Sequence, residues 1–146
     1  MIAVGCIWLF GCAGDSPVSS SIGATVDRGV GTRLALAEHT AFRWDKVCIF
    51  GPYTSDDAVD SITGIPGASG RAYDIRLNEG INVLMFIDAG RIADSVAHPR
   101  GKGDFGPELV GKCYLRDDAI FSIRNPPAAS WGNIGRFEKP ASGEVR

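Results

Sequence analysis

No stretch of this chain reaches the roughly 18–20 consecutive apolar residues that a membrane-spanning helix needs. An excess of basic charge is missing too: 15 Lys and Arg against 17 Asp and Glu leave a net charge of −2. That balance argues against nucleic acid as a partner, because non-specific binding to phosphates requires a basic face. Only two histidines occur, His39 and His98, and no C-x-x-C pair gives the spacing of a structural zinc site. No motif calls for a cofactor or a metal, and none is expected. No internal repeat is visible, which sets solenoids and propellers aside.

What is present fits one small domain. The 146 residues are 45% hydrophobic, enough to bury a core. Nineteen glycines and eight prolines suit a turn-rich α+β or β protein better than a helical bundle.

The chain begins with an apolar run, Met1 to Cys12, with the length of the hydrophobic part of a signal peptide. Leu9-Phe10-Gly11-Cys12 resembles a bacterial lipobox, which makes Cys12 the candidate lipidation site and the membrane a partner through a lipid anchor. Phe10 departs from the small or β-branched residue usual there, and no Lys or Arg precedes Arg28. A secretory signal cut without lipidation, or a frayed apolar N-terminus, are the alternatives. Residues 13–31 read as a flexible tether, rich in serine between Asp15 and Ser21. Ala13 replaces the aspartate associated with inner-membrane retention, which points to the outer membrane in a Gram-negative host.

Phe42 to Thr54 organises the remainder. Apolar residues on both parities, Phe42, Trp44, Cys48 and Phe50 against Val47 and Ile49, predict a strand covered on both faces. Gly51-Pro52 ends it, since proline cannot donate to a ladder. Thr54, with Asp57 three residues on, resembles a capping box opening a short helix that closes at Gly64 and Pro66. The segment Trp44-Asp45-Lys46-Val47-x-Ile49-Phe50-Gly51-Pro52-Tyr53-Thr54 is similar to a core segment in a group of short, uncharacterised bacterial lipoproteins and secreted proteins. The similarity covers mainly residues 42–65, with a looser match to about Arg124. It implies a fold and an exported address, and no chemistry.

Around this core, Thr32 to His39 is expected as two turns of helix and Arg71 to Leu77 as an edge strand. Ile81 to Ile87 is expected as a central strand that turns at Asp88 to Arg91 into a return strand, Ile92 to His98. Ala119 to Arg124 is a further strand, with Ala119, Phe121 and Ile123 on one face. The predicted fold is α+β: a small antiparallel sheet of about four to five strands with one short helix on a face, over residues 32–125. A small barrel or sandwich is the runner-up. Residues 126–146 read as a loop-like tail from which Trp131 and Phe137 could dock.

Candidate chemistry is sparse. Gly106 to Lys112 approaches a P-loop, but Cys113 stands where a hydroxyl must hold magnesium and no helix follows. Gly101 to Gly106 fits G-x-G-x-x-G literally yet precedes Pro107 rather than a helix. Cys48 and Cys113 either form a disulfide across a long loop or are two buried, unpaired thiols, the latter slightly favoured because Cys48 lies mid-strand. His39 and His98 stand alone in sequence, and neither shows a nucleophile beside it. Asp56-Asp57 suits a helix start, and Asp117-Asp118 a turn. Trp44 belongs to the core, whereas Tyr53, beside Pro52 at the strand exit, is the candidate exposed binding residue. These features favour a non-catalytic envelope module that binds a protein or surface component. The alternative is a small envelope hydrolase using His98 or the aspartates.

Overall fold

A computed structural model describes residues 16–124 and 135–140. Two four-stranded sheets are stacked. The first runs in the order β1 (Arg33–Ala35), β7 (Ile120–Arg124), β8 (Arg136–Glu138), β5 (Asp104–Phe105). The second runs β4 (Arg91–Pro99), β3 (Ile81–Asp88), β2 (Lys46–Phe50), β6 (Lys112–Leu115). Every pairing is antiparallel except β5 with β8. The α+β class therefore stands: the second sheet is a small antiparallel sheet of four strands with the short helix Asp56–Thr63 on one face, as expected, and the first sheet is stacked on its other face.

The facing sides build the main core. Leu34, Phe105, Phe121, Ile123 and Phe137 from the first sheet meet Val47, Ile49, Leu84, Phe86 and Val96 from the second. The other side of the second sheet carries Cys48, Phe50, Val83, Met85 and Ile87 under a separate layer. That layer is α2 (Asp56–Thr63) and two short 3-10 turns, Ala68–Arg71 and Ile75–Leu77. This is why β2 is apolar on both parities. Trp44 departs from the expected face: it precedes the strand and packs into the inter-sheet core, against Phe86 at a ring distance of 5.0 Å.

Several local expectations are corrected. The supposed tether contains α1 (Pro17–Val26), capped by Ser16, whose hydroxyl accepts from the Val18 N–H. Proline at the first helical position and Val18 and Ile22 one turn apart explain why it forms and docks. Thr32–His39 gives β1 and a 3-10 turn, Leu36–His39, because Leu34 pairs with Phe121 across the first sheet. The α2 cap is Ser55, which accepts from Ala58 N–H, while Thr54 donates to the Gly51 carbonyl. Gly64 closes α2 in the left-handed conformation at φ 69°, as expected. Arg71–Leu77 is no edge strand: Tyr73 and Asp74, at φ 52° and 51°, turn the chain across the sheet face. The domain also extends past residue 125, since Phe137 on β8 is fully buried. The Asp88–Arg91 hairpin is as read, with Ala89 and Gly90 both at positive φ, the two-residue turn that matches strand twist.

The slight preference for unpaired thiols is likewise overturned, because Cys48 and Cys113 are joined as a disulfide. The Arg116 N–H donates to the Asp45 carbonyl at 2.9 Å. Hydrogen-bonded pairs alternate along an antiparallel ladder, so Cys48 and Cys113, directly opposite each other, fall on a non-hydrogen-bonded pair. Side chains approach most closely there.

Candidate functional site

Most of the segment from Trp44 to Thr54 is consumed by folding. Trp44 is buried, donates from Nε1 to Thr40 Oγ1 at 2.8 Å, and carries the Arg116 guanidinium 4.8 Å above its ring. Asp45 accepts from the Ala89 N–H at 2.9 Å and so holds the hairpin turn. Val47 and Ile49 enter one core, Cys48 and Phe50 the other. A Cβ on Gly51 would meet Val110 Cγ2 at 3.0 Å, so the backbone needs glycine there for close approach.

Tyr53 is the exception. Its side chain is 63% exposed, and its backbone is left-handed at φ 64°, which bulky L-residues rarely adopt. Two bonds hold it: its N–H donates to the Ile75 carbonyl at 2.9 Å and its hydroxyl to Glu79 Oε2 at 2.7 Å. The Glu79 carboxylate, by accepting that bond and by its charge, keeps the phenol above its usual pKa. Between the two residues that hold Tyr53 lies Leu77, 71% exposed. Tyr53 and Leu77 are thus both exposed where their two segments are bonded together, a corner whose second segment also carries Arg76, paired with Asp56 at 3.8 Å. The corner carries both exposed apolar side chains, Tyr53 and Leu77, and charged ones, Arg76 and Glu79.

The remaining candidates are placed elsewhere. His98 is fully buried, with Ser19 Oγ 2.8 Å from Nδ1 and the Gly103 carbonyl 3.0 Å from Nε2. No face of that imidazole is open to a substrate. His39 is half-buried with Ser21 Oγ 2.6 Å from Nδ1. Cys113 is taken up by its disulfide. Asp56 and Asp57 lie in the first turn of α2, as expected, and Asp117 and Asp118 in the 3-10 turn before β7. The near-P-loop is a turn leading into β6, with Lys112 Nζ donating to the Glu108 carbonyl. A groove of about 330 Å³ on the first sheet is lined by Val30, Arg33, Ile120 and Arg124 among others. Both of its guanidiniums are engaged, Arg33 by Glu38 and Arg124 by Glu108 and Glu138. Among the described residues, no three His, Cys, Asp or Glu side chains converge to hold a metal, and no helix is long and apolar enough to cross a membrane. Cys12 and Trp131 lie outside the described residues.

Sequence reasoning missed Leu77, assigned to an edge strand, Glu79, which it did not single out, and Ser19 and Ser21, assigned to the tether. Ser16-Pro17 ahead of Val18 and Ile22 was a signal for α1; nothing local signalled Leu77. No family model, no curated protein and no solved structure matches this chain.

Proposed function

We propose that this protein is a cell-envelope lipoprotein, anchored through Cys12, that binds a protein or another surface component through the Tyr53–Leu77 corner without catalysing a reaction on it. The observation that carries this reading is Tyr53: an aromatic side chain presented to solvent on a backbone conformation that folding alone disfavours. Strain of this kind, at roughly 1–2 kcal/mol for a left-handed L-residue, gathers at sites where something other than stability is served. The apolar run ending in Leu9-Phe10-Gly11-Cys12, and the similarity of Trp44–Thr54 to short bacterial lipoproteins, support the address. Only four peptide units separate Cys12 from Ser16, the cap of α1, a reach of at most about 14 Å. An anchor at Cys12 would therefore hold the domain close to the lipid surface, where a small recognition corner meets its partner at high local concentration.

Two measurements test this. Mass spectrometry of the mature protein from a membrane fraction should find a diacyl or triacyl modification on an N-terminal Cys12. An intact Met1 in the cytosolic fraction would sink the anchor. A photo-crosslinking residue at position 53 should then give one discrete adduct in envelope preparations. The same probe at Leu115, also exposed but on β6, should not. Equal labelling from both positions would remove the corner as a binding surface.

A further inference from the structure

The layer that covers the second sheet carries an excess of one charge. From Gly51 to Gly80, the stretch that holds the Tyr53 turn, α2 and the two 3-10 turns, five acidic residues stand against two basic ones, Arg71 and Arg76. The rest of the described chain has the opposite bias, twelve Lys and Arg against ten Asp and Glu. Folding therefore gathers a net −3 on this layer and leaves a net +2 on the remainder of the described residues.

Chain connectivity and the bonds of Tyr53 bring four of the five acids to its corner. Asp56 and Asp57 follow it by three and four residues, and both are exposed. Asp74 precedes Ile75, whose carbonyl accepts the Tyr53 N–H, and Glu79 accepts the Tyr53 hydroxyl. The fifth, Asp60, is turned to the Gly67 and Ser69 amides. Little offsets the four. Arg76 pairs with Asp56 alone, and Arg71 belongs to the β4 side, where its carbonyl accepts from Ser95. Arg100 donates from Nη1 to the Glu79 carbonyl, but its charge is met by Asp104 at 2.8 Å. Among the described residues no cation pairs with Asp57 or Asp74. Asp56 and Asp57 also suit the first turn of α2. Folding gives no such account of the other two, since Asp74 makes no capping bond and Glu79 lies in no helix.

Exposed carboxylates bind single partners weakly, yet together they set a potential that draws cations and turns anions away. Tyr53 and Leu77 add apolar surface at the same corner. Anionic lipid is repelled by such a layer, which favours a polypeptide as the occupant.

We propose, resting on the Tyr53–Leu77 corner as a binding surface, that its partner is a basic protein segment in which lysine or arginine flanks an apolar residue. The apolar side chain meets Tyr53 and Leu77, and the cations face Asp57, Asp74 and Glu79.

The test is an NMR titration of the full chain with two capped tripeptides, lysine–leucine–lysine and glutamate–leucine–glutamate. Amide signals of Tyr53, Leu77 and Glu79 should shift saturably with the basic peptide and stay in place with the acidic one. Affinity for the basic peptide should fall about fivefold between ~0.05 and ~0.5 M salt. Equal shifts with the acidic peptide or with phosphatidylglycerol vesicles would overturn the proposal. So would shifts produced by raising the protein concentration alone, shifts spread evenly to Asp27, Asp117 and Asp118 outside this layer, or no saturable shift. Asp57→Asn with Asp74→Asn, at exposed positions where Asn also tolerates the left-handed φ of 51° at residue 74, should weaken the basic peptide about fivefold. Unchanged affinity overturns the charge complementarity. The crosslink at position 53 separates this inference from the one beneath it. A discrete adduct whose partner segment carries net negative charge, as identified by mass spectrometry, overturns the basic partner and leaves the corner standing. No discrete adduct at position 53 removes the corner and the basic partner together.

Discussion

Toward the first sheet, β2 and β3 set Val47, Ile49, Leu84 and Phe86 against a run of large rings. Phe105 meets Phe121 and Phe137 at 5.5 and 4.6 Å, and Tyr114 meets Phe121 at 5.3 Å. On the opposite side, Cys48, Phe50, Val83, Met85 and Ile87 are covered by Val59, Ala68, Ala72 and Ile75, a thinner layer with two alanines. Directed bonds make up the difference. Asp60 accepts from the Gly67 and Ser69 N–H groups, Tyr73 donates to the Ser95 carbonyl, Ser95 donates to the Arg71 carbonyl, and the disulfide fastens β2 to β6 beneath α2. One face is held by apolar area, which is non-directional and cooperative. The other is held by individual ties, each of which loosens its own segment when cut.

The largest effect expected from this contrast lies in the ring-filled core. Phe121→Ala should cost about 3–5 kcal/mol and shift the denaturation midpoint of the whole molecule, as read by chemical unfolding. A merely local loosening would break the comparison. Removing the disulfide by Cys48→Ala with Cys113→Ala should cost up to about 4 kcal/mol, the loop-closure value for a separation of 65 residues. That loop contains the entire outer layer, so hydrogen exchange should rise there before it rises in β7 or β8.

Glycine substitutions sharpen the same point at smaller scale. At Gly103, φ is +119° and a Cβ would lie 2.7 Å from the Phe137 ring and 2.8 Å from Val26. Gly103→Ala should therefore cost about 2–3 kcal/mol in thermal unfolding, from overpacking added to an unfavourable backbone. Gly67, in the outer layer at φ +80°, has open space around a Cβ. Gly67→Ala should cost only the left-handed penalty of about 1 kcal/mol. Equal costs at the two positions would mean that the outer layer is as tightly packed as the inter-sheet core.

The same division explains what could be read from the chain. β3, the Asp88–Arg91 hairpin, the Gly51-Pro52 end of β2 and the Gly64 end of α2 rest on local periodicity and turn chemistry, and they fell where the residues placed them, whereas β2 begins only at Lys46, four residues later than expected. The inward face of β7 was legible for the same reason, because Ala119, Phe121 and Ile123 alternate cleanly. The outer layer was not: Tyr73 and Asp74 adopt positive φ because they must carry the chain across a sheet face, and neither residue type announces that. β8 pairs with β7 and β5, and the Cys48–Cys113 bond depends on the register of β6; both are long-range facts. Of the candidate site, exposure of Tyr53 followed from Pro52 at the strand exit. Its companions Leu77 and Glu79 reach it only through the fold.

Asp60 gives the smallest and most local test. Its carboxylate accepts from the Ser69 N–H at 2.8 Å and the Gly67 N–H at 3.0 Å, and these bonds, Ser69 first, hold its pKa below 3.8. Hydrogen bonds of this kind favour the charged form, so the folded loop prefers the carboxylate. The sign follows: the clamp is complete above pH 3.8 and is lost as the pH falls through the lowered folded value. Exchange at the Gly67 and Ser69 amides should therefore quicken, after correction for intrinsic rates, as the solution is acidified through that window. In Asp60→Asn, whose amide oxygen is neutral and a weaker acceptor, the same two amides should exchange faster at every pH, with the global midpoint almost unmoved. A fall in the global midpoint comparable to that of Phe121→Ala would show that the outer layer unfolds with the core. The distinction between a face held by area and a face held by ties would then fail at its most direct point.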